Sequence, residues 1–130
     1  MPIALWNDQF KTGIEVIDTQ HRALFDGLNQ FAEAVQDGSA RQDLDERLAT
    51  LAQHTIKHFQ TEETLMKEMG YPSRTQHSDQ HHTLILQVRS LQYRQAKGQP
   101  LGREVVAFLA DWFDHHIKDA DLDYARYMRA

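Results

Sequence analysis

The amino-acid sequence predicts an all-α fold, an antiparallel up-down-up-down four-helix bundle preceded by an irregular N-terminal arm. Three observations lead there. Four stretches carry apolar residues at spacings of three and four, the period of one helix face. Short connections containing Asp37-Gly38, Gly70-Tyr71-Pro72 and Gly98-Gln99-Pro100 separate them, and Gly and Pro both end helices. No stretch alternates apolar and polar residues as a half-buried strand would. The 130 residues are enough for one domain with a core and too few for two.

The arm, residues 1–17, shows no sustained period; Pro2 and Gly13 argue against a long helix there. Trp6, Phe10, Ile14 and Ile17 are too apolar for a free tail, so the arm is expected to cover the core. The first helix is expected over about 18–37, with Asp18 as its N-cap and a face of His21, Leu24, Phe25, Leu28, Phe31, Ala32 and Val35. The second is expected over 40–69, capped by Ser39, with a face of Leu44, Leu48, Leu51, Thr55, His58, Glu62, Leu65 and Met69. The third is expected over 73–96, capped by Ser73, with His77, His81, Leu84, Val88 and Leu91 in line. The fourth is expected over 101–119, with Val105, Leu109, Trp112, His116 and Ala120 in line, followed by a C-terminal segment over 120–130.

Composition excludes several function classes. The net charge of −5 argues against nucleic acid as the main partner, which would need clustered Lys and Arg. The absence of cysteine rules out disulfides, thiolate metal sites, iron–sulfur clusters and a Cys nucleophile. No signal peptide and no apolar run long enough for a membrane span can be read, so the cytoplasm is the expected location.

Histidine is the unusual component, at positions 21, 54, 58, 77, 81, 82, 115 and 116. Periodicity selects His21, His58, Glu62, His77, His81 and His116, each standing where a Leu would otherwise fill the bundle axis. His54 lies near the core face; His82 and His115 fall on polar sides, and Glu63 is expected to face water. A lone buried His is usually a hydrogen-bonded core residue. Six polar residues converging on one core would be stranded among apolar groups unless a metal ion holds them. Five imidazoles and a carboxylate oversupply one tetrahedral zinc, and no His-Glu-x-x-His is present. Two metal ions use the donors better, with a second carboxylate completing the pair. Asp119 and Asp121 both stand close after His116. Spacing leaves that choice open, because Asp121 is five residues on and would need the helix to end or distort.

These residues resemble a known family. Ile17-Asp18-Thr19-Gln20-His21, His58-Phe59-Gln60-Thr61-Glu62-Glu63, Tyr71-Pro72 with His77 and His81, and His116-Ile117-Lys118-Asp119-Ala120-Asp121 are together similar to the hemerythrins, in their single-domain bacterial form. The resemblance implies two non-haem iron ions with an oxo or hydroxo bridge. It implies that His77, His81 and His116 hold one iron, that His21 and His58 hold the other, and that Glu62 and Asp121 bridge them. It favours Asp121 over Asp119. The second iron is then one ligand short, and O2 is the expected ligand there. Phe59, Trp112, Phe113 and Ile117 match positions that line the oxygen pocket in relatives; ordinary core packing would account for the same residues.

The implied function is reversible O2 binding by a protein that is not an enzyme, for carriage, storage or delivery to an oxygen-consuming enzyme as partner. Bundle di-iron oxidases use four carboxylates and paired Glu-x-x-His motifs, and this chain has no Glu-x-x-His. The alternatives are a sensing module for O2, redox state or nitric oxide, and an iron-storage or peroxide-handling protein. A monomer is expected.

Overall fold

The computed structural model describes residues 6–99 and 102–129. Pro2, Pro100 and the expected helix start at Leu101 lie outside them. Among the described residues the chain is helical and contains no strand. A 3-10 turn at Asp8–Phe10 leads into α1 (Glu15–Gln36), α2 (Arg41–Met69), α3 (Arg74–Ala96) and α4 (Arg103–His116). A π-helical turn, Ile117–Asp121, then joins α4 to α5 (Leu122–Arg129) without a break. Helix α1 packs along α2 and α4, and α2 along α3, and Gln80 and His81 of α3 reach His116 of α4 to complete the four-helix bundle. Among the described residues no helix is long and apolar enough to cross a membrane.

The turns follow from local chemistry. Helix α1 ends where Gly38 takes the left-handed conformation at φ 65°. There Ser39 N–H bonds back to Ala34 O at 3.0 Å, satisfying a carbonyl the helix itself leaves free. Gly70, at φ 64°, ends α2 in the same way, with Tyr71 N–H on Met66 O at 2.9 Å.

Helix α1 starts three residues before the expected position, so Asp18 lies inside its first turn. Its buried carboxylate accepts from Thr12 N–H (2.9 Å), the Thr12 hydroxyl (2.7 Å) and Gly13 N–H (3.2 Å). Asp18 therefore pins the arm rather than capping the helix. The caps expected of Ser39 and Ser73 also differ. The residue before α2 is Ala40, and Ser73 occupies the N-cap of α3 without making a side-chain capping bond.

The core follows the predicted faces, with Leu24, Leu28, Phe31, Leu48, Leu84 and Leu109 almost fully enclosed. At the end of α2 the register differs: Met66 is buried and Met69 is exposed. Phe10 closes the arm onto α1, edge-on to Phe25 at 5.0 Å between ring centroids. Trp6 packs beside both rings, at 5.8 Å from Phe10 and 5.9 Å from Phe25.

Candidate metal centre

Each bundle helix delivers its polar residues at one level. Helix α1 supplies His21. Helix α2 supplies His58 and Glu62, one turn apart on one face. Helix α3 supplies His77 and His81 with the same spacing, and α4 ends on His116. Asp121 is five residues further on. In an α-helix that offset is about 140° around the axis. Because residues 117–121 form a π turn, the offset is absorbed and His116 Nε2 lies 3.2 Å from Asp121 Oδ1. Single π turns within longer helices recur at functional sites.

All seven side chains are buried, none more than 5% exposed. Their donor atoms form two overlapping groups. One contains His77, His81, His116, Glu62 and Asp121; the other contains His21, His58, Glu62 and Asp121. Within each group the donor atoms lie within 4.8 Å of one another. The two carboxylates are common to both. His21 Nε2 is 2.9 Å from Asp121 Oδ2, His77 Nε2 2.9 Å from Asp121 Oδ1, and His58 Nε2 2.9 Å from Glu62 Oε1.

Close as they are, these atoms do not satisfy one another. Nε2 of His21, His58 and His77 and both oxygens of Glu62 and Asp121 make no directed hydrogen bond. Buried polar atoms without partners cost about 1–3 kcal/mol each, so a concentration of them on one point calls for a cation. The electrostatics agree. Burial holds the imidazoles of His21, His58 and His81 in the neutral form that ligates metals, lowering His58 to about 4 and His81 to about 2. Burial, and then the Asp121 charge, push Glu62 well above the usual carboxylate range. Burial acts on Asp121 in the same sense, but the charge of His116 and the close imidazoles of His21 and His77 outweigh it and hold Asp121 low. Buried side by side, the two carboxylate charges oppose each other, and divalent cations would relieve that opposition.

Outside the donor ring, three imidazoles have their second nitrogen anchored. His58 Nδ1–H donates to Gln20 Oε1 at 2.7 Å, while Gln20 Nε2 donates to Thr61 Oγ1 at 3.1 Å, which fixes the amide orientation. His116 Nδ1–H donates to Gln80 Oε1 at 2.8 Å, and His81 Nδ1–H to Glu63 Oε2 at 3.2 Å. Phe59 lies flat on His81, with centroids 3.7 Å apart and planes 3° apart. Trp112 stacks on His116 at 4.4 Å and 16°. The donor types, their burial and this outer ring suit a nitrogen- and oxygen-ligated metal site.

Residues 12–127 match the hemerythrin HHE cation binding domain. The chain belongs to the hemerythrin family. Among its relatives, a bacteriohemerythrin of Pseudomonas aeruginosa is 33% identical over 96% of this chain and 81% of its own length. A myohemerythrin of Riftia pachyptila is 30% identical over 92% of this chain and 89% of its own. Among solved structures, wild-type hemerythrin superposes with a TM-score of 0.93 at 27% identity, covering 98% of this chain and 99% of that one. A point variant of hemerythrin gives 0.95 at 27% identity over the full length of both. The His, Glu and Asp cluster of this hemerythrin chain suits a non-haem di-iron centre.

The structure brings together all seven side chains that the sequence reading singled out as metal donors, and leaves His54, His82 and His115 exposed. Asp119 is exposed too, while Asp121 is 1% exposed. Of the four expected pocket residues, Phe59, Phe113 and Ile117 are buried and Trp112 is half-buried. Phe59 lies against the imidazoles of His81 and His116, and Trp112 against that of His116. The ring nearest His21 in the arm is one the sequence reading left as core covering: Trp6, 6.3 Å from His21 between centroids, with the Arg22 guanidinium 4.9 Å from the Trp6 ring centroid. The expectation that Glu63 faces only water is corrected: half-buried, it reaches across to His81. The signals were present in the aromatic pair Trp6 and Phe10 and in the second Glu after His58, but spacing along one helix does not report contacts between helices.

Proposed function

We propose that this protein binds O2 reversibly at a di-iron centre, for carriage, storage or delivery to an oxygen-consuming enzyme. One observation carries the proposal: two donor groups share Glu62 and Asp121 but differ in their imidazoles, three against two. His77, His81 and His116 would hold one iron and His21 and His58 the other, with Glu62 and Asp121 shared between them. Two non-haem iron ions with an oxo or hydroxo bridge supply, when bound, the electrons and the open position by which O2 is held. The bacteriohemerythrins and the myohemerythrin among the relatives support this reading.

The chain's own residues favour holding over turnover. Two carboxylates, rather than the four of bundle oxidases, leave the pair less negatively charged. Phe59, Trp112, Phe113 and Ile117 line the oxygen pocket, and their apolar surfaces keep water and protons away. Such a protein is a binder rather than an enzyme, and acts in the cytoplasm as a monomer.

The test is spectroscopic. Reduced, iron-loaded protein exposed to air should develop an oxygenated spectrum that disappears under argon and returns with air through several cycles. Irreversible bleaching on the first cycle, or steady consumption of O2, would reject the carrier reading in favour of an enzyme.

A further inference from the structure

Three imidazoles of the site are anchored through Nδ1, but not by equivalent partners. Gln20 behind His58 and Gln80 behind His116 are neutral amides; Glu63 behind His81 is a carboxylate. With His81 Nε2 turned inward, 3.5 Å from Glu62 Oε1 and 3.1 Å from His116 Nε2, its ring proton is on Nδ1, aimed at Glu63. A carboxylate accepting that proton makes the imidazole more basic and more electron-donating than an amide does. The ring does not need Glu63 for its orientation, because Phe59 already fixes its plane from the face.

From this we infer that Glu63 is a positioning residue whose main effect is electronic: it weights electron donation toward the iron held by His77, His81 and His116 and lowers the reduction potential of the pair. The inference rests on the di-iron reading above. It assigns a role to the second carboxylate of the Glu62-Glu63 pair, which points away from the donor ring and ligates nothing. The neutral amides at His58 and His116 leave Glu63 as the charged partner among these three contacts, so the influence is one-sided.

The test uses iron-loaded protein, with iron content measured first and the reduction potential then taken by spectroelectrochemistry on wild type, Glu63→Gln and Gln80→Glu. Glu63→Gln keeps an acceptor for His81 and removes the charge, so the potential should rise. A tenfold change in the ferric-to-ferrous preference corresponds to about 59 mV for one electron, and a shift of that order is expected. Gln80→Glu should move the potential the opposite way by placing a charge behind His116. Iron release to a chelator should quicken in Glu63→Gln by roughly tenfold. Variants that hold two irons with a potential equal to wild type would overturn this inference and leave the proposed function standing. A wild-type chain that takes up no iron pair would overturn both.

Discussion

His116 and Asp121 meet at 3.2 Å although five residues separate them, because the helix between them widens into a π turn. In a regular α-helix a residue four positions after His116 would share its face, and Asp121 would point aside. The turn brings a carboxylate from the fourth helix to the level where the other three helices already deliver their donors. A π turn is rare, and here it sets the buried Asp121 carboxylate beside His116, His21 and His77.

Asp121 and Asp119 should therefore behave differently. Asp121→Asn replaces a shared carboxylate with a neutral amide, and iron affinity should fall by at least roughly tenfold, the lower range for loss of even an outer partner. Asp119→Ala, at an exposed position, should retain full iron. Metal analysis of the two variants, prepared side by side, checks this; iron loss in Asp119→Ala with retention in Asp121→Asn would reverse the assignment.

The histidines divide in the same way. His58→Ala should lower iron content and abolish the oxygenated spectrum. His54→Ala, His82→Ala and His115→Ala alter exposed side chains and should change neither. An emptied site in any of these three would show a donor that the bundle geometry does not account for.

Acid should destabilise the metal-free fold. His58 at about 4 and His81 at about 2 are held below the ordinary value of 6.5 by burial first, and His21 is lowered for the same reason. Below about pH 6.5 the unfolded chain takes up protons at these rings while the folded chain does not. Each such ring then costs roughly 1.4 kcal/mol per pH unit until its folded value is reached. Glu62 acts with the opposite sign: its raised value means its contribution diminishes as pH rises above 4.5. Three rings against one carboxyl give a net loss on acidification, so the urea midpoint of metal-free protein should be lower at pH 5 than at pH 7. A midpoint that rises would contradict the buried neutral imidazoles.

The arm offers a separate stability test. Asp18→Ala removes the acceptor of three hydrogen bonds from Thr12 and Gly13. The expected loss is about 1.5–3 kcal/mol. Release of Trp6 from Phe10 and Phe25 should shift its fluorescence to longer wavelength. A destabilised protein with unchanged emission would mean that Asp18 supports α1 alone.

What the sequence made legible was what periodicity encodes. The bundle and the inward faces of His21, His58, Glu62, His77, His81 and His116 could be read because each is placed by regular α-helical geometry. Asp121 could not be chosen by spacing, since the π turn breaks the period on which spacing depends; resemblance alone favoured it. Asp18 looked like an N-cap because a capping Asp and an Asp inside the first turn have the same local sequence, and its partners in the arm decide between them. Trp6 covers the core as expected, but its place beside His21, like the contact of Glu63 with His81, was not legible for a related reason. Their partners, His81 and His21, are on other elements, and one helix's pattern does not show what a neighbour brings.

Anomalous diffraction at the iron absorption edge, on crystals of the iron-loaded protein, tests the central claim most directly. It should show two iron peaks per chain, one among His77, His81 and His116 and the other beside His21 and His58, with Glu62 and Asp121 between them. A single peak, or iron bound away from these residues, would contradict the paired centre.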